Sequence, residues 1–283
     1  MIPKLTHSRS QLKCHINEYE DGACSLFTSA DTYPDLFDFH LSEIKPLAPR
    51  GWCVSKGGKM KYLWFPPGSL SSNHLARIEQ WKQSFEQYVL IGLSSHIKPI
   101  FCGELDFCMG LSFNYDPDAN IRTKCGEALY QAKYQSSGSH FATITAAMAT
   151  AFALLPIPPE EGDNRLASAV PSNLSSDNFG RKLASAVAKD CGVPFTPSGL
   201  SCDKAALKNL SLIDKAKQWC DLYESGQCVT MNADAKGKTV IVVDDLYQSG
   251  VTLWCYARYL KRLGAKYVLG LVCVKSLRDT DNL

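Results

Sequence analysis

The segment Thr239-Val240-Ile241-Val242-Val243 limits what this chain can become more than any other stretch, because all five residues are β-branched and no polar alternation interrupts them. Such a run fits a strand covered on both faces, the environment of a parallel sheet flanked by helices. Two carboxylates, Asp244 and Asp245, follow directly. Leu246-Tyr247-Gln248-Ser249-Gly250-Val251-Thr252 then leads into a helical pattern that runs from Val251 to Leu263 and stops at Gly264. Open α/β sheets bind their ligands at the carboxyl ends of the strands, so the acid pair stands where a ligand is expected. From Gln248 to Thr252 the chain can offer successive backbone N–H groups, a glycine that permits close approach, two hydroxyls and the positive end of a helix dipole. These suit a phosphate monoester. The carboxylates suit what would lie beside it, sugar hydroxyls and Mg²⁺.

The rest of the second half repeats the alternation of strand and helix. Arg122 to Tyr134 and Phe141 to Leu155 read as helices, Leu166 to Pro171 as a strand, and a helix capped at Asp177 or Asn178 extends to Asp190 before Gly192 and Pro194. Ser211 to Tyr223 is amphipathic, and Tyr267 to Val274 is a second uniformly apolar strand. This order predicts an α/β domain over residues 119–283, with a parallel sheet and helices on both faces. Trp219 and Trp254 read as core aromatics. Residues 1–118 read as a smaller α+β domain of unknown role. Leu36 to Leu41 and Lys61 to Phe65 fit short antiparallel strands, and Ser71-Ser72-Asn73 can cap a helix whose apolar face is Leu75, Ile78, Trp81, Phe85 and Val89. Residues 97–113 suggest further strands, and Asn114 to Asp118 a turn and domain boundary.

Composition enters mainly through what it excludes. A net charge of +2 lacks the basic excess of a chain built to hold a polyanion, so direct nucleic-acid binding is not expected. The charge is net −2 up to residue 120 and +4 after it, so only the second part leans towards an anionic ligand. All six histidines lie at or before His140, so chemistry in the second part must run without imidazole. The twelve cysteines contain no C-x-x-C pair and read as buried small side chains of a reducing compartment, not as zinc ligands. Phe141 to Leu155 carries no charge, but it holds three threonines and ends at Pro156, which fits a buried helix better than a membrane span. Lys4, Arg9 and Lys13 precede no apolar core, so no secretory leader is read and a cytoplasmic location is expected.

The strand, the acid pair, Gly250 and Thr252 resemble the 5-phosphoribosyl-1-pyrophosphate (PRPP) motif of type I phosphoribosyltransferases. Gln248 and Ser249 stand where two threonines are usual. Four further segments follow the order of the ComF-type branch. Ala128 to Tyr134 resembles its Leu-Lys-Tyr helix, Ala169-Val170-Pro171 its Pro-Val-Pro strand end, Asn178 to Ala184 its Asn-Gln helix, and Leu210 to Gln218 its Leu-Ser-x-x-Glu-Arg-x-x-Asn segment. The likeness covers about residues 122–283. The turn from Pro171 to Asp177 carries no arginine where that branch has several, and no four-cysteine module precedes the domain.

The resemblance implies a type I phosphoribosyltransferase-like fold and a Mg²⁺-dependent enzyme that transfers or cleaves the phosphoribosyl group of PRPP or a nucleoside 5′-phosphate. Asp244 and Asp245 would be its catalytic and metal-facing residues, and Tyr247, Gln248, Ser249, Gly250, Val251 and Thr252 its phosphate-binding stretch. Pro171, Ser172, Asn173, Lys204 and Lys208 are candidates for the pyrophosphate side. The other reading is a non-catalytic PRPP or nucleotide sensor, or an interaction module of a DNA-uptake or phage-defence system, with residues 1–118 meeting a protein partner.

Overall fold

The computed structural model describes residues 2–29, 32–162, 164–173, 178–200, 210–226, 230–231 and 233–279. In its first part, β1 (Ser10–Gln11), β2 (Cys14–Glu18) and β3 (Cys24–Ser29) precede α1 (Thr32–His40), β4 (Trp52–Val54), β5 (Met60–Phe65) and α2 (Ser72–Phe85). Strands β2, β3, β5 and β4 pair antiparallel in that order to make a small separate sheet. Two expectations change here. Leu36 to Leu41 lies mostly in a helix, because Tyr33, Leu36 and Phe37, spaced for one helical face, are all fully buried. Helix α2 begins as expected, with the Ser71 and His74 side chains each accepting from the other's backbone N–H, but it ends at Phe85 and releases Val89 into a strand.

That strand, β6 (Val89–Leu90), and β7 (Phe107–Phe113) enter the main sheet. The chain continues through α3 (Lys124–Tyr134), α4 (Gly138–Phe152), β8 (Arg165–Ala169), β9 (Ser172–Asn173), α5 (Phe179–Asp190), β10 (Phe195–Thr196) and β11 (Ser198–Leu200). It closes with α6 (Leu212–Glu224), β12 (Thr230–Met231), β13 (Thr239–Tyr247), α7 (Val251–Arg262) and β14 (Tyr267–Lys275). The main sheet has the order β1-β6-β7-β14-β13-β8-β10, and a third, small sheet has the order β12-β11-β9. From β7 to β10 every pairing in the main sheet is parallel, and β6 and β1 add an antiparallel edge.

Strand β13 explains the two-sided covering. Ile241 and Val243 pack into a core shared with α3, α4 and α5, while Val240 and Val242 pack on the opposite face with α6 and α7. The fold is therefore α/β, a parallel-rich sheet with helices on both faces and a separate antiparallel sheet. Trp219 and Trp254 are buried, as expected.

The turn at Asn114 to Asp118 is present, with the Asp116 carboxylate accepting from the backbone of Asp118 and Ala119. Sheet and core nevertheless run across it. Strand β7 pairs with β14 from Phe107↔Leu269 to Phe113↔Lys275, and Phe37, Leu63 and Phe85 share one buried cluster with Met148 and Ile241. A division at residue 118 thus separates strands that are neighbours in one sheet. Among the described residues, no helix is long and apolar enough to cross a membrane.

Candidate functional site

The sheet opens where β8 ends. Pairing between β13 and β8 stops at Val243↔Ala169, whereas pairing between β13 and β14 continues to Tyr247↔Lys275. Asp244 and Asp245 therefore lie within the long strand, next to a neighbour that has already left it. From β8 the chain passes through α5 to β10 on one side; from β13 it passes through α7 to β14 on the other. Diverging connections on opposite faces make the β8/β13 gap a topological switch point, the place where open α/β sheets form a ligand crevice.

The N-terminus of α5 comes up against this gap. Asn178 caps it by accepting from the Arg181 N–H at 3.0 Å. A Cβ at Gly180 would stand 3.8 Å from the Oδ1 atoms of both Asp244 and Asp245, so the two carboxylates converge on one point although they are adjacent in a strand. The Asp245 N–H donates to Asp244 Oδ1 at 2.9 Å and fixes that pairing. From α3, Lys133 Nζ donates to Asp245 Oδ2. Burial works against the Lys133 ammonium, but Asp245 at contact distance outweighs it and holds the lysine above its ordinary range.

The loop after β13 is built from below. Tyr247 ends the strand with its ring buried, and its hydroxyl accepts from Trp254 Nε1 at 3.0 Å. Gly250 covers that ring with φ +82°, and a Cβ there would fall 2.1 Å from the Tyr247 hydroxyl oxygen. Only glycine meets both conditions. Gly250 is also the N-cap of α7, and no side chain caps that helix, whose first N–H groups have no intrahelical acceptor. Ser249 and Val251 are buried and Thr252 is half-buried. Beneath the loop, Lys275 has no exposed surface; its Nζ donates to the carbonyls of Gln248 at 3.2 Å, Ser276 at 2.8 Å and Arg278 at 2.9 Å, and pairs with Asp279 at 3.0 Å. Burial pulls the Lys275 ammonium below its ordinary range, and Asp279 partly restores it.

The pyrophosphate-side candidates divide. Pro171 and Ser172 are buried beside the gap, and Ser172 accepts from Arg181 Nη2 through its hydroxyl at 3.1 Å and its carbonyl at 3.4 Å. Asn173 lies in β9, paired with Leu200 of β11. Lys204 and Lys208 fall outside the described residues. Sequence reasoning did not single out Lys133, Gly180 or Lys275 as members of the site. A signal existed for the last: Lys275 is the one charge that follows eight residues of an otherwise uncharged strand, Tyr267 to Val274.

No family model matches the chain, and no curated protein matches it. Among solved structures the chain is similar to a purine phosphoribosyltransferase from Pyrococcus horikoshii, at 16% identity and a TM-score of 0.33 over 52% of this chain and 80% of that one. It is similar to a hypoxanthine phosphoribosyltransferase from Staphylococcus aureus at 11% identity and a TM-score of 0.34, over 50% and 68%. A phosphoribosylpyrophosphate synthetase from Mycobacterium smegmatis is similar at 17% identity and a TM-score of 0.28, over 48% of this chain and 33% of that one. At such identities and scores, the function must be argued from the site itself.

Proposed function

We propose that the chain is a type I phosphoribosyltransferase-like protein of the ComF-type branch, which binds PRPP or a nucleoside 5′-phosphate at the β8/β13 gap and transfers or cleaves its phosphoribosyl group. The supporting observation is the convergence, at a switch point, of two carboxylates and an uncapped helix N-terminus behind a glycine-gated loop. In this reading the N–H groups of Ser249 to Thr252 and the Thr252 hydroxyl hold the 5′-phosphate. Asp244 and Asp245 accept from the ribose hydroxyls and so orient C1, and Lys133 keeps Asp245 in place. Transfer breaks the bond between C1 and the pyrophosphate oxygen, which leaves with the electron pair, while a nitrogen nucleophile forms its bond to C1.

The donor set suits Mg²⁺ in one respect: both acids offer hard oxygens on the same side. Among the described residues no group of three or more His, Cys, Asp or Glu side chains is arranged to hold a metal, so the remaining ligands would come from substrate oxygens and water. When bound, Mg²⁺ supplies a counter-charge for the pyrophosphate.

The test is turnover of PRPP with Mg²⁺ and a panel of nucleobases, followed by phosphorus NMR, in the wild type and in Asp244→Asn/Asp245→Asn. A transferase should lose turnover by orders of magnitude in the double variant. Undetectable wild-type turnover, with a ligand-induced melting shift that survives in the variant, would replace the enzyme by a sensor.

A further inference from the structure

Helices α6 and α7 cover the face of the sheet that carries Val240 and Val242, and each brings a cysteine to their common core. Cys220 and Cys255 are free thiols whose Sγ atoms stand 3.6 Å apart, in contact but not bonded. Their surroundings differ. Arg258, on the same helix as Cys255, donates from Nη1 to Cys220 Sγ at 3.4 Å. Its Nε and Nη2 hold Glu104 at 2.9 Å and 2.7 Å, and Nη2 also donates to the Ile100 carbonyl. The guanidinium is thus anchored from its far side and keeps both a donor and a positive charge on Cys220. A sulfur that accepts from a cation is the acceptor of the pair, so the shared proton sits on Cys255, which also reaches the Ala216 carbonyl at 3.6 Å. The Cys255 thiol, and after it Arg258, hold Cys220 below its ordinary range against burial, whereas burial pushes Cys255 up.

Access is unequal in the same sense. Cys220 keeps 7% of its surface exposed and Cys255 1%, and the Arg258 side chain that touches Cys220 is itself partly exposed. An oxidant hardly larger than water therefore meets Cys220 first. Cys102 offers the opposite case, since it is exposed but faces a carboxylate, Glu104 Oε1, at 4.0 Å. Exposure alone would make Cys102 the more reactive thiol. Thiolate character makes it Cys220.

We propose that Cys220 and Cys255 form a peroxide-sensitive modification site, with Cys220 as the attacking sulfur and Cys255 as the resolving one. The Cys220 thiolate attacks one oxygen of hydrogen peroxide; an S–O bond forms, the O–O bond breaks, and the departing hydroxide takes a proton from solvent to leave as water. The Cys255 sulfur then attacks Cys220, the S–S bond forms, the S–O bond breaks, and the second hydroxide leaves as water with the Cys255 proton. The cysteines lose two electrons and the peroxide gains them. Closing from 3.6 Å to the about 2.05 Å of a disulfide asks for a small rotation of the two side chains. The product ties α6 to α7 one turn beyond Thr252, and the inference does not depend on the phosphoribosyl reading.

The test treats the full chain with a slight excess of hydrogen peroxide at pH 7, alkylates the remaining thiols in urea and maps the peptides by mass spectrometry. A peptide pair joined through Cys220 and Cys255, two hydrogens lighter than its reduced parts and released by dithiothreitol, should appear before any oxidation of Cys102. In Cys255→Ala the link should vanish and dimedone should trap a sulfenic acid at Cys220; in Cys220→Ala, Cys255 should stay unlabelled. Arg258→Gln should slow the reaction about threefold or more, because less thiolate is present. Oxidation of Cys102 while Cys220 and Cys255 are still alkylated, or a link that forms only in urea, overturns the proposal. So does dimedone on Cys255 in Cys220→Ala, or an unchanged rate in Arg258→Gln. The first two results are read on the wild type and stand even if a variant fails to fold.

Discussion

Gly250→Ala should damage the protein in two ways that can be separated. The residue sits at φ +82°, which disfavours any L side chain by roughly 1 kcal/mol. Its new methyl group would also fall 2.1 Å from the Tyr247 hydroxyl oxygen and 2.2 Å from Cζ. The ring cannot yield without loss, because it is buried and its hydroxyl holds Trp254 Nε1 at 3.0 Å; losing a buried hydrogen bond costs about 1–3 kcal/mol. The combined cost is about 2–4 kcal/mol, which lowers Tm by about 5–15 °C. In a Tyr247→Ala background the clash is gone and only the backbone strain of roughly 1 kcal/mol should persist. Urea unfolding of the four proteins of this cycle, with ribose 5-phosphate titrations on each, reads both effects. Equal cost in the two backgrounds, or no cost in the wild-type background, would refute the picture of a glycine seated on a locked tyrosine.

Three further outcomes follow from the packing. His40 is half-buried against the rings of Phe39 and Phe85, and desolvation lowers its pKa from 6.5 to about 4, opposed by the Leu154 backbone. The unfolded chain therefore takes up a proton that the native state refuses between these values. Stability should be unaffected above pH 6.5 and fall by about 3 kcal/mol as the pH drops to 4, a slope that His40→Phe should flatten in unfolding measurements across that window. Lys275→Met would remove the cation that holds three carbonyls and Asp279; urea unfolding should show a loss of about 3–5 kcal/mol, and an undiminished midpoint would contradict its supporting role. A fragment of residues 119–283 lacks β7, the central neighbour of β14, so it should show no cooperative unfolding by circular dichroism; a sharp transition would show that the second part holds its own core.

The parts legible in sequence were those whose signal is local. The run from Thr239 to Val243 carried the two-sided burial of β13 in its own composition, and Asn178 and Ser211 announced helices that the fold caps with those side chains. Leu36 to Leu41 misled because Asp38 and His40, alternating with Phe37 and Phe39, imitate a half-buried strand; the spacing of Tyr33 with Leu36 and Phe37 decides for a helix once a core is available. The placement of β7 was not legible, since its partner β14 lies some 160 residues away and a turn follows it. The same limit hid most of the site. Lys133 and Asp245 are 112 residues apart, and nothing in either segment specifies that pair before the sheet brings them together. Gly180 looked like an ordinary residue of a helix start, and its meaning comes from two carboxylates delivered by another strand.

The measurement closest to the central claim is a backbone amide NMR titration of the full chain with PRPP and Mg²⁺. The loop after β13 should respond first, with the largest shifts at the N–H groups of Ser249, Gly250, Val251 and Thr252, accompanied by Asp244, Asp245 and Gly180. Saturable shifts confined to these positions are the predicted result. Saturable shifts that leave residues 248–252 unmoved, or no shifts at millimolar PRPP, would contradict the assignment of the β8/β13 gap as a phosphoribosyl site.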